Sequence, residues 1–150
     1  MAFLFPGQGS QYLQMGRDWV AWFPEALATL EMANRHYRDS SALTDHIYPR
    51  VSDEQRETLE TALRNTAVAQ PAIGAVSIAM DKVLRRFGVV PEFTCGHSYG
   101  ELTAFASAGW IDEKTLFDLS VMSGKLMAAS DGPEDTSRGT MTAVKEPLDK

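Results

Sequence analysis

The stretch Gly96-His97-Ser98-Tyr99-Gly100 constrains this chain more than any other. Apolar Val89, Val90 and Phe93 precede it and predict a short buried strand. Leu102, Phe105 and Ala106 follow at helical spacing, and Gly109 closes that run. A serine between two glycines, where a strand becomes a helix, is the G-x-S-x-G pattern of a nucleophile elbow. Lacking Cβ atoms, Gly96 and Gly100 let the chain reverse sharply while strand and helix approach closely. Such a turn displays the Ser98 hydroxyl at the amino end of a helix. There, free N–H groups and the helix dipole favour a developing oxyanion. The same string also occurs in ordinary turns, so its meaning comes from the flanking elements.

A strand followed by a helix also describes the start of the chain. Ala2-Phe3-Leu4-Phe5 is a continuous apolar run, predicting a strand buried on both faces, and Pro6-Gly7-Gln8-Gly9-Ser10-Gln11 stops it. Gly7 and Gly9 would let the Gln8 N–H approach a ligand; a simple strand-ending turn explains the same residues. Two glycines are too few for a dinucleotide fingerprint. Trp19, Trp22, Phe23, Leu27, Leu30 and Met32 recur near helical period, with a break or a new helix expected at Pro24. A polar helix is expected over residues 54–63. Another is expected from Pro71, with Ile73, Val76, Met80, Val83, Leu84 and Phe87 along one stripe, ended by Gly88. Asp112 is a good N-cap for a helix over residues 113–129. Residues 130–139 have loop composition, and residues 140–144 alternate like a strand.

Composition excludes several classes. A net charge of −6, with no basic cluster beyond Arg85-Arg86, argues against a nucleic-acid surface. No apolar run approaches a membrane span, and the short apolar start lacks the basic flank of a signal peptide. The single cysteine, Cys95, excludes an internal disulfide and fits a reducing compartment, so a cytoplasmic location is expected. Cys95 itself is expected to be a small buried side chain. The tryptophans Trp19, Trp22 and Trp110 are expected to pack. His36 and His46 lie in polar sequence and are expected at the surface. No His, Cys, Asp or Glu spacing indicates a metal site.

Three motifs in order, Phe5-Pro6-Gly7-Gln8-Gly9-Ser10-Gln11, Gln70-Pro71-Ala72 and Gly96-His97-Ser98-Tyr99-Gly100-Glu101, resemble the acyltransferase family. Its members are malonyl-CoA:acyl-carrier-protein transacylases and the acyltransferase domains of polyketide and polyunsaturated-fatty-acid synthases. The resemblance runs along essentially the whole chain, and the stretch from Asn65 to Gly74 looks most like the synthase-embedded branch. It implies an α/β fold: an α/β-hydrolase-like parallel sheet flanked by helices, with the start of an inserted ferredoxin-like small subdomain. Residues 1–129 would be the large subdomain and 130–150 a linker and the first strand of the small one. Ser98 would attack an acyl-CoA thioester, backbone N–H groups of Gln8 and Tyr99 would form the oxyanion hole, and His97 and Gln70 would line the acyl pocket. The acyl group would then pass to the phosphopantetheine thiol of an acyl carrier protein, with no bound cofactor, in a ping-pong cycle. The rest of a multidomain synthase is a further expected partner.

Two departures from the family pattern matter. The family's general base is a histidine about a hundred residues after the serine, beyond Lys150, so the chain is expected to be the amino-terminal half of the domain. The second is Ser123, standing where members that take malonyl groups carry an arginine forked onto the free carboxylate. A hydroxyl cannot replace a bidentate, permanently charged guanidinium, and Lys125 lies about 200° round a helix from Ser123. A neutral acyl group is therefore expected over malonyl, with Ser123 on the substrate wall; the bland alternative is a small residue where the helix packs near Gly124. An acyl hydrolase of the same family, or a non-catalytic scaffold or docking segment, are the alternative functions.

Overall fold

The computed structural model describes residues 1–50 and 52–130 of the 150. In chain order they form β1 (Ala2–Phe5), α1 (Arg17–Trp22), α2 (Pro24–His36), α3 (Leu43–Ile47), a 3-10 turn (Asp53–Gln55), α4 (Arg56–Arg64), α5 (Thr66–Arg86), β2 (Phe93–Gly96), α6 (Gly100–Ser107) and α7 (Glu113–Ser130). The expected loop over 130–139, the strand over 140–144 and the small subdomain lie outside the described residues.

Local sequence signals set most of these boundaries. Pro24 opens α2 at its first position, where its missing N–H costs nothing. Gly88, at φ 76°, follows α5, and Gly109, at φ 78°, follows α6; a residue with a Cβ would be strained at either. Asp112 caps α7 by accepting the Thr115 N–H at 2.7 Å. The expected start of α5 at Pro71 is corrected: the helix begins at Thr66, and the Asn65 side chain caps it by accepting the Ala67 N–H at 2.9 Å. Pro71 therefore sits inside the helix, where it removes a bond to the Ala67 carbonyl. Burial of almost every residue from Val68 to Ala79 offsets that loss.

The strands β1 and β2 pair in parallel, with Ala2 opposite Phe93 and Phe5 opposite Gly96. The crossover between them carries α1 to α5, as a parallel pair requires a long connection. The protein is thus α/β, a small parallel sheet with helices. Helix α6 lies across both strands, covering the face of Phe3 and Phe5; Thr94 Oγ1 donates to the Ala104 carbonyl at 3.1 Å. The opposite face, with Ala2, Leu4, Phe93 and Cys95, is exposed among the described residues, Leu4 at 78%. This corrects the expectation of strands buried on both faces, and of a buried Cys95. A continuous apolar run calls for two covered faces, and the described residues cover one.

The main core lies among the helices. Leu30, Leu43, Ile47, Leu63, Leu116 and Phe117 are essentially inaccessible between α2, α3, α4, α5 and α7. Each such side chain contributes about 1.5–3 kcal/mol by burial. Helix α5 runs through the centre, packed along α7 on one side and α2 on the other. By length and composition α5 could cross a membrane, contrary to the expectation that no run approaches that length, but 72% of its apolar window is buried inside the protein. Of the tryptophans, Trp19 packs on Ala26, Ala79 and Val83, whereas Trp22 and Trp110 are 78% exposed. Trp110 stacks on Phe105 at 5.4 Å.

Candidate active site

The chain leaves β2 at Gly96 and enters α6 at Gly100, and Ser98 sits between them at φ 55°. That left-handed conformation costs a residue with a side chain about 1–3 kcal/mol, so its surroundings must hold it. Four backbone hydrogen bonds do so. His97 N–H donates to the Phe5 carbonyl at 3.2 Å, tying the turn to β1. Gly100, Glu101 and Leu102 N–H groups donate back to the carbonyls of His97, Ser98 and Tyr99 at 3.0–3.1 Å. The glycines are there for contact. A Cβ on Gly96 would overlap the Gly100 carbonyl, and one on Gly100 would overlap the Phe5 carbonyl and approach Pro6 O to 2.8 Å.

The amino-terminal loop closes on the same turn. Gly7 is buried against the His97 carbonyl, and a Cβ there would stand 3.3 Å from Ser98 Cβ. Gln8 therefore follows a residue in direct contact with Ser98. Neither the Gln8 nor the Tyr99 N–H has a hydrogen-bond acceptor among the described residues, whereas neighbouring Gly9, Ser10 and Gly100 N–H groups do. The Ser98 hydroxyl is likewise unpartnered among them, and both Ser98 and His97 are exposed.

The structure brings the remaining expected residues together through side chains that sequence reasoning passed over. Gln8 Nε2 donates to Thr66 Oγ1 at 2.9 Å. Gln70, one turn further along α5 and 3% exposed, sets its Nε2 3.1 Å from Met127 Sδ, and its Oε1 is buried with no partner among the described residues. Ser123 is half-buried, with its hydroxyl 4.0 Å from the same sulfur. Gly124 presses on the Thr66 carbonyl, where a Cβ would stand at 2.8 Å. A wall thus runs from Gln8 through Thr66, Gln70 and Met127 to Ser123. Thr66 and Met127 were findable as the residues four before Gln70 and four after Ser123.

The other two histidines are not at the turn; both are half-buried, each with a polar partner. His36 has an 18% exposed side chain whose Nδ1 lies 2.7 Å from Asp118 Oδ1, and His46 Nε2 lies 2.9 Å from Ser41 Oγ. Their partners are distant in sequence or in a local turn, so polar neighbours hid them. An apolar cavity of about 490 Å³ lies between β1 and α5, lined by Phe3, Phe5, Ile73, Val76 and Met80; Ser98 does not line it.

A strained serine at a helix start, two free N–H groups in reach and a neutral side-chain wall can support nucleophilic attack on an ester or thioester carbonyl. Comparison with known proteins agrees. The family model for the acyl transferase domain matches residues 2–148. A highly reducing polyketide synthase of Emericella nidulans is 33% identical over 149 residues, 99% of this chain and 6% of the synthase. The malonyl CoA-acyl carrier protein transacylase of Bacillus subtilis is 35% identical over 126 residues, 76% of this chain and 33% of the transacylase. A solved complex of a type II polyketide synthase acyl-carrier protein with its malonyl-transacylase superposes with a TM-score of 0.75 at 33% identity, covering 87% of this chain and 40% of that one. The chain therefore spans a third or less of these curated relatives. It belongs to the acyl transferase domain family.

Proposed function

We propose that Ser98 carries the acyl group in a transfer from acyl-CoA to the phosphopantetheine thiol of an acyl carrier protein, in polyketide or fatty-acid synthesis. The observation that carries this is Ser98 at φ 55° between β2 and α6, with the unpaired Gln8 and Tyr99 N–H groups beside it. Ser98 Oγ bonds to the thioester carbonyl carbon, and its proton passes to a general base. The carbonyl π pair moves onto oxygen, where the Gln8 and Tyr99 N–H groups would receive it. The pair returns, the carbon–sulfur bond breaks, and the coenzyme A thiolate takes the proton from the base. The carrier thiol then attacks the Ser98 ester by the same steps in reverse. His97 and Gln70 line the acyl side.

The acyl group we propose is neutral. Ser123, Met127 and Gln70 present no cation, and a malonyl carboxylate there would lose water without gaining a partner. Lys125 lies on a different side of α7, near Asp39, whose pKa is lowered first by the Ser40 N–H and less by Lys125. The complete enzyme is to be incubated with equal acetyl-CoA and malonyl-CoA and the ester on Ser98 identified by intact mass. Acetyl is expected to predominate, and Ser123→Arg is expected to shift labelling toward malonyl. Predominant malonyl-Ser98 in the unmodified enzyme would refute the neutral preference. Turnover without any Ser98 ester would refute the function.

A further inference from the structure

The strained turn has one side-chain anchor. His97 and Ser98 are exposed, whereas Tyr99 is 5% exposed. Its phenol passes over α5 at Gly74, where any Cβ would overlap the hydroxyl and stand 3.2 Å from Cζ. It ends on α7, with Oη 2.6 Å from Ser120 Oγ. The direction of that bond follows from proton counting. Ser120 has one hydroxyl proton and donates it to the Leu116 carbonyl at 2.6 Å, so the phenol is the donor to Ser120. Ser120 is completely buried, and so is Thr103, whose hydroxyl acts on the same phenol. The phenol is thus in a cradle shaped by a missing Cβ and closed by the Ser120 hydroxyl, with the Thr103 hydroxyl also acting on it. Burial pushes its pKa up to about 12, against smaller opposing effects of the Ser120 and Thr103 hydroxyls. The phenol therefore stays protonated, and the bond intact, over the working range of an enzyme.

We propose that Tyr99 is a positioning residue: the Tyr99–Ser120 bond bolts the elbow to α7 and so fixes where the Tyr99 backbone N–H points. This rests on the acyl-transfer reading of Ser98, since the direction of that N–H matters only if an oxyanion forms beside it. Three observations meet here. The Ser98–Tyr99 peptide follows a residue in a strained conformation. Its N–H has no acceptor among the described residues to hold it. The buried phenol is held between Gly74 and Ser120. The position also couples the elbow to the substrate wall, because α7 carries Ser120 and, further along, Ser123 and Met127.

The test uses the complete enzyme with Tyr99→Phe, Ser120→Ala and the double variant. Acyl-Ser98 formation from acetyl-CoA is followed by intact mass in single turnovers, with the active fraction taken from the burst amplitude. Each single variant is expected to slow acylation per active site about tenfold. That is a fraction of the 10²–10³ lost when an oxyanion donor is removed outright, with KM held within about twofold, as for an interaction made only in the transition state. The double variant is expected to be no slower than the slower single one, since both break one bond. If Tyr99→Phe fails to fold, Ser120→Ala decides, because it leaves the elbow residue in place. A native rate per active site, or a loss explained by fewer active sites alone, overturns the inference while the Ser98 ester still forms. No Ser98 ester in the unmodified enzyme overturns the acyl-transfer reading and this inference with it.

Discussion

Replacing Gly100 with alanine tests whether the close approach of α6 to β1 builds the site. The added Cβ would stand 2.8 Å from Phe5 C and Pro6 O, and closer still to the Phe5 carbonyl oxygen. Ordinary contact begins at 3.4 Å, so relieving the overlap with the Phe5 carbonyl oxygen requires α6 and β1 to separate by about 1.2 Å. None of these atoms is the end of a flexible side chain, so the backbone must move. The same Phe5 carbonyl accepts the His97 N–H at 3.2 Å, and that bond lengthens with the separation. Overpacking costs about 1–3 kcal/mol, and loss of a backbone hydrogen bond about 1 kcal/mol more. A destabilisation of about 2–4 kcal/mol is expected. The separation also moves Gly7, and with it Gln8, away from Ser98. A misplacement near 1 Å costs on the order of 10²-fold in rate. Urea denaturation gives the first quantity and single-turnover acylation per folded molecule the second. Gly100→Ala with unchanged stability and native acylation would show that the contact does not shape the site.

Two further expectations concern stability. Asp81 is 6% exposed and accepts both bonds of Arg85 Nε, at 3.0 and 2.9 Å, and one from Ser107 Oγ, tying α5 to the end of α6. Breaking a fully buried pair costs about 3–5 kcal/mol. The Arg85 side chain is 35% exposed and keeps the Ser107 carbonyl, so Asp81→Ala is expected to cost about 2 kcal/mol by urea denaturation; a change under about 0.5 kcal/mol would refute it. The Asp112 carboxyl is held below the usual range by the Thr115 hydroxyl and N–H. Its contribution is thus present above an unfolded pKa near 3.9 and is lost as pH falls through the lower folded value. Asp112→Asn keeps an acceptor at the cap without the titration. Its melting temperature is expected to fall less than the unmodified protein's on acidification below about pH 4, and parallel curves would refute that.

Much of the architecture was legible because its signals are local. Pro24, Gly88, Gly109 and Asp112 mark boundaries by their own backbone chemistry, and the structure places a helix end or start at each. The elbow was legible for the same reason: two glycines around a serine, with a strand before and a helix after, leave few ways to turn. Where two local signals competed, the weaker-looking one won. Asn65 capped α5 with one hydrogen bond, and Pro71 was absorbed into the helix because tertiary burial favoured continuing it.

What the sequence could not decide is who meets whom. Phe3 and Leu4 are equally apolar, yet Phe3 is half-buried while Leu4 is 78% exposed, because a strand's faces differ only in what other elements cover them. His36 reads as a polar surface residue until Asp118, 82 positions away, arrives beside it. Tyr99 occupies the variable place in the elbow motif, and nothing near it in sequence announces Gly74 and Ser120 as the walls of its cradle. By itself the sequence determined the kind of turn that carries Ser98, since a turn depends on the torsions its own residues tolerate. Tertiary structure alone decided that Gly7 meets that turn and that Gln8, Thr66, Gln70, Met127 and Ser123 line up along one wall, since such meetings depend on the packing of elements separated by tens of residues.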